Sequence, residues 1–255
     1  MATYKKRGYK PKTKKEKQEE EKIESTTAEV FETLDEGASK TEAWVSKNQT
    51  YIIGAVAAIA FGVLAYLGYQ QWIFLPKEKE AANEIYQAQV YFDDAIEATG
   101  KNRDSLFMLS LDGGMGKLGM LDVASNYSGT KTASLANYYA GIAYLNLGKY
   151  KEAINHLDKF KGKDQVLAPL AQGAIGDAFL QLEQTSDALG HFEKAANMQN
   201  NAFTTPKFLL KAAITAIDLG QGAKAEKHLK RIQEEYPNSE ENKLVEAYLG
   251  TAQAL

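Results

Sequence analysis

The stretch GIAYLNLGKYKEAINHL (Gly141–Leu157) decides the fold, because its pattern of small and large residues recurs twice further along the chain. Counting from Ser134, Gly141, Tyr144, Gly148, Ala153, Leu157 and Phe160 fall at positions 8, 11, 15, 20, 24 and 27. Counting from Pro169, Gly176, Phe179, Ala188, Phe192 and Ala195 fall at 8, 11, 20, 24 and 27. Counting from Pro206, Ala213, Ala216, Gly220, Ala225, Leu229, Ile232 and Pro237 fall at 8, 11, 15, 20, 24, 27 and 32. Small residues at 8 and 20 let two antiparallel helices touch, and large ones at 24 and 27 fill the next interface.

The segment starts lie 35 and 37 residues apart, the extra length falling in the loop NMQNNAFTT (Asn197–Thr205). The prolines give the same frame independently: Pro169 and Pro206 sit where a helix starts, and Pro237 follows a helix end. Ser239 is then placed to cap a last helix running to about Ala252 that covers the open end of the stack. The pattern resembles the tetratricopeptide repeat. It predicts an all-α fold, with an α-solenoid and a C-terminal capping helix over residues 132–255.

Upstream the sequence changes character. No charged residue occurs over the 29 positions from Asn48 to Pro76. Within them, Tyr51–Tyr69 (YIIGAVAAIAFGVLAYLGY) holds only apolar residues, glycine and tyrosine. At a rise of 1.5 Å per residue such a helix covers ~28 Å, close to the ~30 Å hydrocarbon core of a bilayer. Tyr51 at one end and Tyr66, Tyr69 and Trp72 at the other suit the two interfaces. A transmembrane helix within 48–76, ended by Pro76, is expected. The region before it is too long for a signal-peptide n-region, so the span reads as an uncleaved single-pass anchor. Gly54, Ala58 and Gly62, at i, i+4 and i+8, form a stripe of small residues that lets another helix approach; small residues are also simply common in such spans.

Eight Lys or Arg crowd residues 1–17 against the single acid Glu16, and Glu19, Glu20 and Glu21 follow. This arm lacks apolar periodicity and reads as a solvated, disordered tail. By the positive-inside rule it holds the N-terminus in the cytoplasm and sends residues 77–255 across. Val30, Phe31, Leu34, Trp44 and Val45 predict a short amphipathic helix before the span, capped at Thr26 or Thr27. After it, Glu80–Thr99 reads as a helix stopped by Gly100, and residues 101–131 as loop-rich. The expected domains are thus 1–47, 48–76, a helical neck and loop over 77–131, and the repeats.

Whole-chain numbers exclude several classes. A net charge of −3 gives no reason to expect attraction to nucleic acid. The absence of cysteine removes disulfides, thiolate metal sites and cysteine nucleophiles. Gly114, Gly116 and Gly119 spell G-x-G-x-x-G, but a dinucleotide site needs a preceding strand and an acid about 20 residues on. A flexible turn is expected there. His156, His191 and His228 each occupy position 23 of their repeat. Packed helices lie ~8–10 Å apart, too far for all three to reach one metal ion. The ladder is either a pH-sensitive strip or a coincidence on a surface row. Asp93 and Asp94 are adjacent on a helix and point apart. No catalytic, cofactor or metal constellation emerges.

A helical solenoid instead offers a concave surface lined by first helices. Groove positions in repeats of this type are 2, 5, 9, 12 and 13. They read Leu135, Tyr138, Ile142, Leu145 and Asn146, then Leu170, Gly173, Asp177, Leu180 and Gln181, then Lys207, Leu210, Ile214, Ile217 and Asp218. The row is apolar with two acids, suiting an apolar or weakly basic peptide; alternatively, some of it packs beneath residues 80–130.

Basic arm, single anchor, neck and three repeats together resemble the YfgM-type family of bacterial inner-membrane proteins, in the longer form found in Bacteroidota. The stretches carrying the likeness are TLDEGASKTEAWVSKNQ (Thr33–Gln49), LANYYAGIAYLNLGKYKEAI (Leu135–Ile154), LAPLAQGAIGDAF (Leu167–Phe179), NNAFTTPKFLLKA (Asn200–Ala212) and RIQEEYPNS (Arg231–Ser239). The resemblance implies a non-enzymatic ancillary subunit of the Sec translocon. It also implies pairing with PpiD, a membrane-anchored chaperone, and contact with translocating polypeptides in the periplasm. The long arm departs from shorter family members. An adaptor for cell-envelope or outer-membrane assembly is the alternative.

Overall fold

In a computed structural model of the chain, residues 14–255 are described, with side chains from Thr41 onward. The chain divides into two units, Met1–Gly68 and Tyr69–Leu255. Among the described residues it is helical throughout its regular structure, with one isolated β-bridge.

The first unit is carried by α1 (Lys14–Tyr69). The caps expected at Thr26 and Thr27 lie inside this helix, which starts at Lys14. From Lys14 to Glu36 there is neither Gly nor Pro, and the Lys/Glu/Gln run is made of good helix formers, so nothing ends a turn there. The arm's first thirteen residues, and with them most of its cations, lie outside the described residues.

The uncharged segment forms the one helix among the described residues long and apolar enough to cross a membrane, and none of it is buried within the chain. Ile53, Val56, Ile59, Phe61 and Leu64 are all exposed. A core helix of a water-soluble domain would bury such a run; an uncovered one fits a lipid environment.

Pro76 does not end the helix. Five residues, Gln70–Phe74, form a π-turn, and α2 (Leu75–Glu97) follows with Pro76 in its first turn. Leu75 N–H reaches back five residues to the Gln70 carbonyl. Proline removes an N–H and crowds the carbonyl four residues before it, and the widened turn accommodates both effects.

In the second unit, α2 is followed by α3 (Gly100–Asp112) and the short α4 (Met120–Asn126). Segment 101–131 is therefore mostly helical rather than loop-rich. Phe107, Leu111, Met120 and Val123 are wholly buried against Ile85, Ala88 and Phe92 of α2 and Ala136, Ala140 and Ala143 of the next helix. Short helices with poor amphipathic signal are held by this shared core rather than by local propensity. The break before α3 falls at Ala98 and Thr99; Gly100 opens α3 with φ +60°.

Three helical hairpins follow: α5 (Lys131–Asn146) with α6 (Tyr150–Lys159), α7 (Leu167–Gln181) with α8 (Thr185–Met198), and α9 (Thr204–Asp218) with α10 (Gly222–Glu235). The last helix, α11 (Asn242–Gln253), packs on α9 and α10. Pro169 and Pro206 lie in the first turns of α7 and α9, and Pro237 follows α10. The Ser239 hydroxyl accepts the first N–H of α11, that of Asn242, at 3.2 Å.

Each first helix ends identically. Lys149, Gln184 and Gln221 N–H groups donate to Tyr144, Phe179 and Ala216 carbonyls at 2.9, 2.9 and 2.8 Å. Gly148, Glu183 and Gly220 donate to Leu145, Leu180 and Ile217 at 3.2, 3.0 and 2.8 Å. These are paired Schellman bonds, which need a left-handed residue at position 15. Gly148 and Gly220 supply it at φ +72° and +69°, and Glu183 adopts +60° without a glycine's freedom.

Position 24 seats on position 8 of its own repeat. A Cβ on Gly141 would lie 2.5 Å from Leu157 Cγ, and one on Gly176 would lie 2.7 Å from Phe192 Cε1. The large residue expected to fill the next interface thus closes the hairpin itself.

Candidate partner-binding groove

The first helices α5, α7 and α9 carry the row expected to form a groove. On α5, Leu135, Tyr138, Ile142 and Leu145 are half-buried. Tyr138, Ile142 and Leu145 pack on Leu157 and on Ala171, Ala174 and Ile175 of α7. Ile142 also touches the core shared by α2, α3 and α4. Asn146 Nδ2 donates to the Ile142 carbonyl at 2.8 Å, and its Oδ1 accepts from Arg103 of α3. The α5 end of the row is therefore partly covered by the neck.

The α7 and α9 part differs, since α2, α3 and α4 touch neither helix. Gly173 is no groove residue: the Phe208 ring occupies the place of a side chain, 1.9 Å from a built Cβ. Leu210 is buried in the core and is withdrawn from the groove as well. Leu170, Leu180, Ile214 and Ile217 stay half-exposed over that core. Gln181 is exposed and accepts a hydrogen bond from Tyr150 Oη at 3.2 Å. Of the two acids expected, Asp177 is paired with Lys211. Asp218 is exposed with no ion-pair partner among the described residues, and Lys207 is half-buried. The surface left open includes Leu180, Ile214 and Ile217, edged by Gln181, Lys207 and Asp218.

The histidines do not lie on a free surface row. Asn137 Nδ2 donates to the Ala133 carbonyl, which turns its Oδ1 to His156 Nδ1 at 2.9 Å, so that nitrogen carries the hydrogen. His191 Nδ1 meets the Gln172 side-chain amide at the equivalent place. Their rings lie against Tyr144 and Phe179, with centroids 5.4 and 5.0 Å apart. An aromatic at position 11 and an amide at position 4 hold each ring. In the third repeat these positions are Ala216 and Leu209, and His228 Nε2 turns to Glu193 Oε1 of α8 at 2.9 Å. Burial lowers all three below the usual imidazole value of 6.5, outweighing the Glu193 carboxylate at His228. The sequence signal for this arrangement is the matching pair Asn137 and Gln172, three residues after the first two repeat starts.

G-x-G-x-x-G is a crossing of backbones. Met115 and Gly116 occupy a tight turn at φ +54° and +75°, closed by Lys117 N–H to the Gly114 carbonyl at 3.0 Å. A Cβ on Gly119 would lie 2.1 Å from the Leu111 carbonyl oxygen. The glycines permit close packing, so the turn is a built one rather than the flexible one expected.

Along α1, a Cβ on Gly54 or Gly62 would meet nothing within 4 Å, so the stripe they share with Ala58 is uncovered among the described residues. No group of three or more potential metal ligands occurs among the described residues.

These features define an all-α repeat scaffold for protein–protein interaction, carrying a helix able to span a membrane. Residues 135–164 and 208–239 match the tetratricopeptide repeat family, so the chain contains that repeat. The matched segments are the first and third hairpins; α7 and α8, with Glu183 where the others have glycine, share their turn geometry without matching. No curated protein and no solved structure matches the chain.

Proposed function

We propose that the protein is a single-pass, membrane-anchored scaffold whose repeats hold an extended apolar segment of a partner along α7 and α9. One observation carries this reading: Leu180, Ile214 and Ile217 form a half-exposed apolar strip that α2–α4 do not reach. Gln181, Lys207 and Asp218 edge it with polar groups that set register, the division of labour seen at protein interfaces. With Asp177 neutralised by Lys211, one free acid remains, which favours an apolar segment over a basic one. The resemblance of the chain to YfgM-type proteins supports a finer assignment. The anchor lies in a bacterial inner membrane with its N-terminus cytoplasmic and its repeats periplasmic. The partners are Sec translocon subunits, a PpiD-like chaperone and translocating polypeptides, with Gly54, Ala58 and Gly62 as the packing stripe.

The test is photo-crosslinking in intact cells from probes at Gln181 and Asp218 on the strip, and at Ala58 in the span. Adducts to Sec subunits or a PpiD-like chaperone support the finer assignment. Adducts confined to outer-membrane or cell-wall assembly proteins would replace it with an envelope adaptor. Adducts from Ala58 but none from the strip would remove the groove from the reading.

A further inference from the structure

A cleft of about 520 Å³ lies where α4, the start of α5 and the end of α6 meet. Its polar lining includes Ser128, Thr130, Ser134, His156, Lys159 and Lys161. Lys159 and Lys161 have no carboxylate partner among the described residues. Lys161 uses one ammonium hydrogen on the Asp158 carbonyl at 2.9 Å and keeps two. The Ser134 oxygen accepts the Lys161 backbone N–H at 2.8 Å, which leaves its hydroxyl hydrogen to donate. The Ser128 hydroxyl has no bond among the described residues. Two lysines free of carboxylates and two serines with a hydroxyl hydrogen to donate thus belong to the lining of one concavity.

The position of the cleft selects its ligand. Lys77 Nζ donates to the Ser128 carbonyl at 3.1 Å. The Glu78 carboxylate accepts the Lys131 N–H at 2.7 Å, the Thr132 N–H at 2.9 Å and the Thr132 hydroxyl at 2.6 Å. These bonds tie the rim of the cleft to the first turn of α2. Lys77 is the first charged residue after the 29-residue uncharged stretch, and Trp72, 80% exposed, lies five residues before it. If residues 48–76 span the membrane, Lys77 and Glu78, which hold the rim, come at the level where a bilayer turns from hydrocarbon to headgroup. Glu78 spends its oxygens on Lys131 and Thr132 and forms no ion pair with Lys159 or Lys161 among the described residues.

We propose that this cleft is a headgroup site for an anionic phospholipid: Lys159 and Lys161 meet the phosphate, and the Ser128 and Ser134 hydroxyls donate to its oxygens. The proposal rests on residues 48–76 spanning the membrane. A soluble phosphate offers the same chemistry, but a bilayer presents the phosphate at this depth at high local concentration. Bound lipid would fix α4, α5 and α6 against the membrane and so set how the repeats are presented.

The test uses the full chain reconstituted in phosphatidylcholine nanodiscs, with spin-labelled phosphatidylglycerol or spin-labelled phosphatidylcholine as the reporter lipid. Selectivity for the anionic lipid should fall about fivefold for each lysine removed in K159Q and K161Q, and fall with added salt. K224Q with K227Q on α10 should leave it unchanged. A chain that inserts but gives equal selectivity in wild type and K159Q/K161Q overturns the headgroup site alone. Inorganic phosphate that binds wild type better than K159Q/K161Q, without any lipid selectivity, assigns the cleft to a soluble anion instead. Failure of the chain to insert overturns the membrane reading and the proposal together.

Discussion

Replacing Glu183 by glycine should stabilise the protein, although it shortens an exposed side chain and removes no visible strain contact. Glu183 sits at φ +60° in the same paired-bond turn where Gly148 and Gly220 sit at +72° and +69°. A residue with a Cβ pays about 1–2 kcal/mol in that region. Glycine avoids it, but gains freedom in the unfolded chain worth about 0.5–1 kcal/mol. Removing a carboxylate from the C-terminal end of α7 returns about 0.3 kcal/mol. The net expectation for E183G is about 0.5–1.5 kcal/mol of stabilisation, or about 2–4 °C in Tm for each kcal/mol in a domain of this size. E183K keeps the strained backbone and reverses only the charge, so it should give about 0.3–0.6 kcal/mol. G148A should lower stability, because it puts a Cβ where the other repeats show the same left-handed turn. The assay is thermal and urea unfolding of the full chain in mild detergent, followed by helical circular dichroism. If E183G is no more stable than E183K, the left-handed turn is not what selects glycine at position 15.

Two other mid-helix glycines should respond with opposite signs to alanine. G190A meets open space and should stabilise by about 0.5–1 kcal/mol, whereas G173A drives a Cβ into the buried Phe208 ring and should fall below it by about 1–3 kcal/mol in the same unfolding assay. Burial would raise the Glu78 carboxyl, but the Thr132 hydroxyl and the Lys131 and Thr132 N–H groups outweigh it and hold it below 4.5. E78Q should therefore cost about 1–2 kcal/mol at neutral pH, a difference that disappears as pH falls through that carboxyl's range; a constant difference in urea midpoint at all pH would refute the capping role. The three histidines, each lowered from 6.5 by burial, bind protons more readily when unfolded. Their contribution to stability is full above pH 6.5 and is lost as pH falls through their folded values, so the urea midpoint should drop on mild acidification and H156Q, H191Q and H228Q should each flatten the drop.

The sequence by itself determined the features whose cause is local. The repeat frame is legible because glycine or alanine at 8 and 20 is needed wherever two helix backbones touch, and the prolines mark helix ends through their missing N–H. The uncharged run over 48–76 is legible because length and apolar composition alone make a helix able to cross a bilayer. Three features were decided only by tertiary contact. Segment 101–131 carries weak periodicity, and Phe107, Leu111, Met120 and Val123 become helical core because α2 and α5 supply the opposing apolar faces. Asp177 and Asn146 read as free groove groups, yet Lys211 and Arg103, 34 and 43 residues away, pair with them. Pro76 reads as a stop, yet a π-turn over Gln70–Phe74 lets the helical chain pass through it. A side chain's partner across dozens of residues leaves no spacing signal, and for that reason the open strip over Leu180, Ile214 and Ile217 became visible only once the neck's true reach was known.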